Sequence, residues 1–523
     1  MSYKMSKAAA LLCCGAMALC LAACGGEEGS AQSTQSVSEK IASDELFTDR
    51  DLSGTYDESE AVAIHLADGA STCKGNGVEI QEDTITITKE GVYVLSGTLT
   101  DGQVIVDAGE DKVQLVLQNA KIACEGSAAV YIKSADKVFL TLADNSDNTL
   151  ESSGEFVAID ENDIDATVFS KDDLTLNGTG SLRVTCESGH GIVSKDDLKL
   201  TGGTYEISCV QDALSGNDSV RIADGEITID AGDDGIHSDA DLIIVGGTIT
   251  INDSYEGLEG QTITIDGGNI TLSANDDGLN AAGGNDQSGF GGMGGDLFAA
   301  DIDCYIEING GTLYVDAMGD GLDSNGNLTI TGGEIYVAGP SDNGNGALDY
   351  AGTATISGGI VVATGASGMA QNFGEDSTQG AILVSTQTMT DGEVVLLNED
   401  GEELIRFSPG KSYNSAVISC PGITDGKSYT ILLGEESQTI QMDGMIYGAG
   451  GEAMGGFGGG MRGGDKDKQQ MMQDGQAPDP NMQKPDGIDS PMDGQMQDGD
   501  APKKGGFGGR DGSAWSEQEQ SQN

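Results

Sequence analysis

Three segments of the chain repeat one pattern at steps of 22 and 21 residues: Gly225-Glu226-Ile227-Thr228-Ile229, Gly247-Thr248-Ile249-Thr250-Ile251 and Gly268-Asn269-Ile270-Thr271-Leu272. In each segment a glycine precedes two large apolar side chains that are separated by one threonine. Apolar residues that alternate with polar ones over four to six positions are typical of a β-strand with one buried face. The same glycine recurs elsewhere, at Gly203, Gly311, Gly333 and Gly359.

A second short strand precedes each turn glycine. Before Gly333, for example, Leu328 and Ile330 alternate with Thr329. One such repeat cannot bury its own apolar face, whereas stacked repeats align equivalent residues into continuous inward columns. A leucine-rich repeat would need a leucine spacing and an asparagine that this sequence lacks, and a propeller blade needs about twice the period. The pattern therefore predicts an all-β chain folded as a parallel β-helix.

The repeat also divides the chain into regions. It is regular from about residue 170 and extends less regularly upstream, so residues 56–371 are predicted as the β-helix. Residues 372–447 still alternate and are predicted as a small β-rich C-terminal cap, since an uncovered end would expose strand edges. Residues 448–523 are rich in Gly, Met, Gln and Asp without any period, which predicts a disordered tail.

The first 23 residues have the pattern of a bacterial lipoprotein signal peptide. Lys4 and Lys7 precede a short apolar run, and Leu21-Ala22-Ala23-Cys24 resembles a lipobox, in which the cysteine is lipidated and becomes the mature N-terminus. Residues 24–55 are then predicted as a flexible tether. We therefore expect a secreted, monomeric protein that reaches the membrane only through a lipid anchor on its outer face.

The chain is strongly acidic, with 86 acidic and 25 basic residues and a formal net charge of −61. Such a surface repels nucleic acid and attracts divalent cations, so no nucleic-acid partner is expected. The mature cysteines form no CxxC pair, which argues against zinc and redox motifs. Cys186 and Cys209 are one repeat apart, and either a disulfide or two stacked thiols would fit that spacing.

Acidic residues recur at equivalent turns and form two predicted columns. The first consists of Asp212, Asp234, Glu256, Asp277 and Asp320, with the companions Asp233, Asp239, Glu259, Asp276 and Asp323. The second consists of Asp172, Asp196 and Asp218. Carboxylates stacked one coil apart repel each other, and Ca²⁺ accepts six to eight oxygens in tolerant geometry. Both columns are predicted as calcium sites, although Asp and Gly are also favoured as plain turn residues.

Two aromatic side chains suggest a sugar-binding surface. Tyr314 and Tyr336 align one coil apart at outward positions, and Tyr305 occupies an outward position of the other strand. Exposed tyrosine rings would form a platform for pyranose faces. The alternative is that tyrosine simply favours strands and that the Gly-rich insertion around residues 283–296 or the cap covers these rings.

Catalytic signals are weak. The only histidines, His65, His190 and His237, lie in no nucleophile or metal motif, and His237 is interpreted as a turn residue. Lys171 and Lys195 are the only basic residues stacked in register, and either could serve as the base of a polysaccharide lyase. Pairing of these lysines with the neighbouring Asp172 and Asp196 is the favoured interpretation. No catalytic residue is predicted, and the chain is not expected to be an enzyme.

Several segments together resemble a group of bacterial cell-surface lipoproteins, the carbohydrate-binding domain-containing proteins of the cellulose- and pectin-binding type. The matching segments are Phe169–Gly180, Gly191–Leu198, Asp233–Ser238, Pro409–Tyr413 and Ser419–Pro421, and the first two share the sequence Ser-Lys-Asp-Asp-Leu. The resemblance implies a right-handed parallel β-helix with calcium at its turns, related in fold to pectate lyases. The chain departs from the family pattern where alanine follows Asp212 and where Glu256 replaces aspartate.

Three functions remain open at this point. The first is non-catalytic binding of polysaccharide, either cellulose or a pectin-like acidic glycan, with calcium as a structural or bridging ion. The second is a calcium-dependent, pectate-type lyase, and the third is a structural surface adhesin stiffened by calcium. A shared fold does not transfer an activity, and non-catalytic binding is the leading interpretation of the three.

Overall fold

The computed structural model describes residues 46–282, 301 and 303–448, which all lie within one unit, Met1–Phe457. These residues form strands and turns and contain no helix, so the predicted all-β class is confirmed. No helix of the described residues is long and apolar enough to cross a membrane. The predicted signal peptide, Cys24, the Gly-rich insertion and the tail after residue 448 lie outside the described residues.

The chain winds into a β-solenoid of about 11 turns, and each regular turn contributes three strands. The short strands form a 12-stranded sheet of β3 (Val78–Gln81), β4 (Thr84–Ile87), β6 (Gln103–Asp107), β8 (Val130–Ser134), β11 (Ala166–Ser170), β14 (His190–Ser194), β16 (Leu214–Gly216), β18 (Ile236–Ser238), β21 (Leu258–Gly260), β24 (Leu279–Ala281), β27 (Leu322–Ser324) and β30 (Leu348–Tyr350). We call it the short-strand sheet.

A 23-stranded sheet contains the other two strands of each turn, and in a few turns these two strands run together as one long strand. Its members are β1 (Val62–Ala67), β2 (Thr72–Cys73), β5 (Gly91–Leu99), β7 (Lys112–Glu125), β9 (Lys137–Leu142), β10 (Asp147–Ser153), β12 (Leu174–Gly178), β13 (Ser181–Cys186), β15 (Asp197–Ser208), β17 (Ser219–Asp230), β19 (Asp241–Ile244), β20 (Thr248–Asp253), β22 (Thr262–Ile265), β23 (Asn269–Ala274), β25 (Tyr305–Ile308), β26 (Thr312–Ala317), β28 (Asn327–Ile330), β29 (Glu334–Ala338), β31 (Ala354–Ile356), β32 (Ile360–Gly365), β33 (Ala381–Thr390), β36 (Tyr413–Ser419) and β39 (Ile446–Tyr447).

Neighbouring coils pair in parallel, with equivalent residues in register. Ile227 pairs with Ile249, which pairs with Ile270, which pairs with Leu313. All four side chains are buried in the continuous core inside the solenoid. The parallel β-helix predicted from the alternation of apolar residues is therefore confirmed.

The turn glycines have a steric reason. Gly333 has a φ of +90°, and a Cβ added there would lie 3.0 Å from the carbonyl oxygen of Gly310 on the preceding coil. Residues other than glycine rarely adopt this backbone region. Because each coil lies directly on the one before, the same requirement returns at every repeat.

After the last coil the strand direction changes. β36 pairs antiparallel with both β32 and β33, so it extends the sheet beyond the final parallel strand. A separate antiparallel sheet follows, made of β34 (Val394–Leu397), β35 (Glu403–Phe407), β37 (Ser428–Leu433) and β38 (Glu436–Gln441). We call this four-stranded unit the C-terminal sheet.

The N-terminal end of the described chain differs from the predicted tether. Phe47 is buried, and Asp51 is fully buried. The Asp51 carboxylate lies 2.7 Å from Lys137 Nζ and accepts a hydrogen bond from Thr175 Oγ1 at 2.7 Å. Residues 46–56, which we call the strap, therefore pack along the β-helix. The composition of this segment did not show these contacts because they depend on a buried ion pair with a residue 86 positions away.

Candidate metal centre

One acidic residue stands two positions before each short strand in the central coils. We call this set the carboxylate column; it comprises Asp212, Asp234, Glu256, Asp277 and Asp320. The residue that follows each acid is small because the next coil lies very close. A Cβ added at Gly235 would lie 2.7 Å from the carbonyl oxygen of Gly257.

The column also connects one coil to the next through hydrogen bonds. The backbone N–H of Asp234 donates to Asp212 Oδ1 at 3.3 Å, and that of Glu256 donates to Asp234 Oδ1 at 3.2 Å. The N–H of Asp320 donates to Asp277 Oδ1 at 2.6 Å. These acids are thus turn residues that stabilise the stack, as the plain-turn interpretation required. These hydrogen bonds use one oxygen of each carboxylate, so the other oxygen can contact a further group.

A second row of polar side chains runs beside the column on the short strands. Adjacent coils place five outward residues in register: His237, Glu259, Asn280, Asp323 and Asp349. Together with the carboxylate column they form two clusters. The first, which we call the His237 cluster, contains Asp212, Asp233, Asp234, His237 and Glu259, and the second, the Asp323 cluster, contains Asp277, Asp320 and Asp323.

His237 supplies positive charge to the first cluster. Its Nδ1 contacts Glu259 and lies 3.3 Å from Asp234 Oδ2, while its Nε2 lies 3.1 Å from Asp239 Oδ1. Burial lowers the pKa of this imidazole, but the hydrogen bonds to Asp234 and Glu259 outweigh burial and raise the pKa to about 12. His237 is therefore an imidazolium held among carboxylates, which is more than the turn role predicted for it.

Glu259 and Asn280 each leave one buried oxygen atom without a hydrogen-bond partner. Glu256 is 3% exposed and Glu259 is 1% exposed. Both oxygens of Glu256 accept hydrogen bonds from Asn280 Nδ2 at 2.8 Å, yet Glu259 Oε1 and Asn280 Oδ1 have no hydrogen-bond partner. Burial, followed by the charges of Asp234 and Glu259, raises the pKa of Glu256 to about 9. Unpaired acceptors at this depth are suited to a cation or a proton.

The Asp323 cluster consists of carboxylates alone. Oxygens of Asp277, Asp320 and Asp323 lie within 4.8 Å of one another, and no Lys or Arg in the described part of the chain forms an ion pair with them. Burial raises the pKa of Asp277 to about 7 and that of Asp320 to about 8. Burial, reinforced by the neighbouring acids including Asp349, raises the pKa of Asp323 well above its usual value.

These donors fit a hard divalent cation. Calcium takes carboxylate, amide and carbonyl oxygens at about 2.3–2.6 Å, so oxygens within 4.8 Å of one another can share one ion. The Asp323 cluster offers only oxygen. Asp276 adds a further carboxylate beside it, since a Cβ at Gly319 would meet the oxygens of both Asp276 and Asp277. The His237 cluster suits calcium less well, because an imidazolium already neutralises part of its charge.

The second predicted column does not assemble into a comparable cluster. Asp172 accepts a hydrogen bond from the Ala135 backbone at 2.9 Å, as an ordinary turn cap. The pKa of Asp196 is raised by burial and by its acidic neighbours, including Asp218. Among the described residues, Asp172, Asp196 and Asp218 join no group of three potential metal ligands. Nearby Asp197 instead pairs with Lys199 Nζ at 3.2 Å.

The C-terminal sheet covers part of the predicted tyrosine platform. Tyr314 and Tyr336 do align on neighbouring coils, as predicted. The C-terminal sheet packs onto them: the Phe407 ring centroid lies 6.2 Å from that of Tyr314 and 5.3 Å from that of Tyr336. Tyr314 Oη also donates to the Pro409 carbonyl at 3.2 Å. Tyr305 lies apart on β25, paired with Thr262 and Asn327. The three rings therefore form no common exposed surface.

Three residues beside the clusters were not selected as site residues from the sequence: His190, Asn280 and Asp349. His190 Nδ1 lies 3.2 Å from the Asp212 carboxylate, one coil earlier in the column. Extending the column backwards by 22 residues from Asp212 would have reached it. Asn280 and Asp349 follow from the strand register, which irregular repeat lengths hide in the sequence.

Comparisons with known proteins identify the family of this chain. A family model described as "Carbohydrate-binding domain-containing protein" matches residues 81–344 and 233–401, which together cover more than half of the 523 residues. A carbohydrate-binding domain-containing protein of Acetivibrio thermocellus is 41% identical over 135 residues, which are 25% of this chain and 47% of that relative. The chain thus spans about half the length of this curated relative.

One solved structure is also similar, a polysaccharide lyase-like protein from C. thermocellum determined as a gadolinium derivative. It is 27% identical, with a TM-score of 0.34, over 57% of this chain and 97% of that chain. The family match spans most of the β-helix and confirms the resemblance to carbohydrate-binding domain-containing proteins that the Ser-Lys-Asp-Asp-Leu repeats carry. This chain belongs to the family of carbohydrate-binding domain-containing proteins.

Proposed function

We propose that this protein binds acidic polysaccharide without cleaving it, and that calcium held by the Asp323 cluster bridges its carboxylates to those of the glycan. The observation that carries the proposal is the close approach of Asp277, Asp320 and Asp323, whose oxygens lie within 4.8 Å without a basic partner among the described residues. A chain with a net charge of −61 repels a polyanion. A divalent cation with open coordination positions removes that repulsion at the point of contact.

The placement of the basic residues favours binding over lyase chemistry. Lys171 and Lys195 follow the short strands β11 and β14, whereas the carboxylate column precedes the short strands, at the opposite turn. Lys195 Nζ lies over the Phe169 ring, 5.7 Å from its centroid. His237, with its pKa raised to about 12, carries a proton at neutral pH and cannot act as a base. None of these three residues is therefore placed or charged to act as a proton-abstracting base beside the proposed calcium.

Lipidation at Cys24 would hold the β-helix on the outer face of the membrane, where polysaccharide is accessible. In this proposal calcium has two effects: it neutralises buried carboxylates, which stabilises the stack, and it presents positive charge outward. The structural adhesin of the sequence analysis differs because its calcium would have only the first effect.

The test is retention of the full chain on cross-linked pectate beads, with calcium or with a chelator, while circular dichroism follows the fold. We expect retention only with calcium. Asp320→Asn keeps an oxygen that can accept the Gly346 N–H but removes the charge, so it should lose retention. Asp218→Asn, from the second column, is the matched control and should be retained like the parent chain.

Each alternative has its own result in this assay. Release of unsaturated sugars from soluble pectate would show a lyase and contradict the non-catalytic proposal. Calcium-dependent stability without retention on any polysaccharide would favour the adhesin. Equal retention of the Asp320→Asn and Asp218→Asn variants would remove the Asp323 cluster from the binding site.

A further inference from the structure

A groove of about 1090 Å³ runs along a different corner of the β-helix from the carboxylate column. Its floor is the corner where the turn glycines stack, including Gly178, Gly203 and Gly225. Because these residues have no side chains, the floor is formed by backbone and stays open to a ligand lying along the helix axis. None of the residues proposed above as calcium ligands lines this groove.

The strap and the residues just after it form one wall. Asp51 anchors the strap through Lys137, and Thr201 Oγ1 donates a hydrogen bond to the Asp51 carbonyl. Gly54 then lies directly against Gly178, so that a Cβ added at Gly54 would lie 2.8 Å from the Gly178 Cα. These contacts set the position of the chain that carries Leu52 and Tyr56 into the groove lining.

The wall and floor combine an apolar surface with polar groups. Leu52 is 39% exposed, which is unusual for a large apolar side chain in this molecule, and Tyr56 lines the groove beside it. The floor carries Thr204, Glu226 and Thr248, which occupy one register position on three successive coils. At a coil spacing of about 4.8 Å these three side chains extend over roughly 10 Å.

This combination matches the chemistry of a sugar chain. Pyranose rings present apolar C–H faces, which pack on aromatic and aliphatic side chains, and hydroxyls, which donate to carboxylates and exchange hydrogen bonds with threonine. Four acidic residues line the groove, Glu58, Asp144, Asp224 and Glu226, and no Lys or Arg does. Uronates would be repelled here. An elongated floor with polar groups on successive coils suits several linked sugars better than a single one.

We infer that this groove binds a neutral glycan chain and does so without calcium. The inference rests on the proposed function in one respect, that the protein binds polysaccharide. The neutral glycan is assigned to this groove beside the strap, which we call the strap groove. The acidic glycan is assigned to the Asp323 cluster at a different corner of the β-helix.

The test is calorimetric titration of the full chain with cellohexaose, xylohexaose and mannohexaose in the presence of a chelator. We expect at least one of these neutral oligosaccharides to bind. Tyr56→Ala removes the aromatic surface and Glu226→Gln removes a charged acceptor, and each should weaken binding about tenfold or more. Glu334→Gln is the matched control, because Glu334 occupies the register position of Glu226 four coils further along, outside the groove.

Both groove positions are on the surface, so the variants should keep the circular dichroism spectrum and unfolding midpoint of the parent. Absence of binding by all three oligosaccharides would overturn the inference, and calcium-dependent retention on pectate would show that the proposed function stands. Binding that neither variant weakens would also overturn it, since the groove would not be the site. If the parent chain binds a neutral oligosaccharide, the groove variants weaken that binding, and the parent is not retained on pectate, the inference about the groove would stand and calcium bridging would be refuted.

Discussion

Without calcium, the folded protein should lose stability as the pH rises from about 5 to about 8. Burial raises the pKa of Glu256 to about 9 and that of Asp320 to about 8, whereas the unfolded chain ionises these groups near 4.5 and 3.8. Between those limits the folded state holds protons that the unfolded state has released. The free energy of unfolding therefore falls as the pH increases.

The magnitude follows from the number of retained protons. Each proton held only by the folded state changes the free energy of unfolding by about 1.4 kcal/mol per pH unit. Glu256 and Asp320 together would give a slope of at most about 3 kcal/mol per pH unit. In saturating calcium the share from Asp320 should disappear or reverse, because the ligand carboxylates must be deprotonated to bind the ion, whereas the share from Glu256, which belongs to neither cluster, should remain.

The assay is guanidinium denaturation in chelator at three pH values between about 5.5 and 7.5, followed by far-ultraviolet circular dichroism. The single tryptophan, Trp515, lies outside the described residues, and circular dichroism follows the strands directly. Glu256→Gln should flatten the slope by about 1.4 kcal/mol per pH unit. Glu375→Gln, an exposed control, should leave the slope unchanged. A free energy of unfolding that stays level or rises with pH in chelator would refute the reasoning.

Three further predictions concern packing. Gly333→Ala forces an alanine into a φ of +90° against the Gly310 carbonyl and should lower the free energy of unfolding by about 1–3 kcal/mol. Gly401 has a φ of +80° but nothing within 4 Å of an added Cβ, so Gly401→Ala should lower the free energy of unfolding by less. Equal losses of this free energy, measured by denaturation, would contradict the steric argument. Tyr336→Ala removes the ring packed on Phe407 and should lower the free energy of unfolding by about 2 kcal/mol. Retention on pectate should be unchanged, and a loss of retention would show that the tyrosines do bind the glycan. Asp51→Asn leaves the buried Lys137 ammonium without its nearest charge partner, at a cost of about 3 kcal/mol. Proteolysis within the strap should therefore become faster, whereas Asp107→Asn, which breaks the exposed pair with Lys133, should not change it. Equal cleavage rates in the two variants would show that the Asp51–Lys137 pair does not anchor the strap.

The repeating part of this fold was predictable because its tertiary contacts are also local in sequence. The segments Gly247-Thr248-Ile249 and Gly268-Asn269-Ile270 meet because a coil returns to the same place after about 22 residues, so the period itself specifies the register. The carboxylate column was visible for the same reason. Acids one repeat apart, such as Asp212 and Asp234, had to become neighbours once the coils stacked.

The partners of those acids could not be read from the period. Asp197 of the second column region meets Lys199 and Arg221, whereas the Asp323 cluster meets only further carboxylates, and both regions look alike as acidic turns in the sequence. The difference depends on which side chains share a face after folding, and on how deeply that face is buried. His237 shows the same point, since its contact with Glu259 on the next coil helps to keep the imidazole protonated.

The amino-acid sequence by itself thus determined the β-helix, its turns and the stacking of its acids. The tertiary structure alone decided what covers the helix. Tyr314 is closed off by the carbonyl of Pro409, 95 residues later, and the wall of the strap groove depends on Asp51 and Thr175, which are 124 residues apart. No repeat encodes contacts of that range, because they join the solenoid to segments outside its period, and only the packing of those segments on the finished helix brings them together.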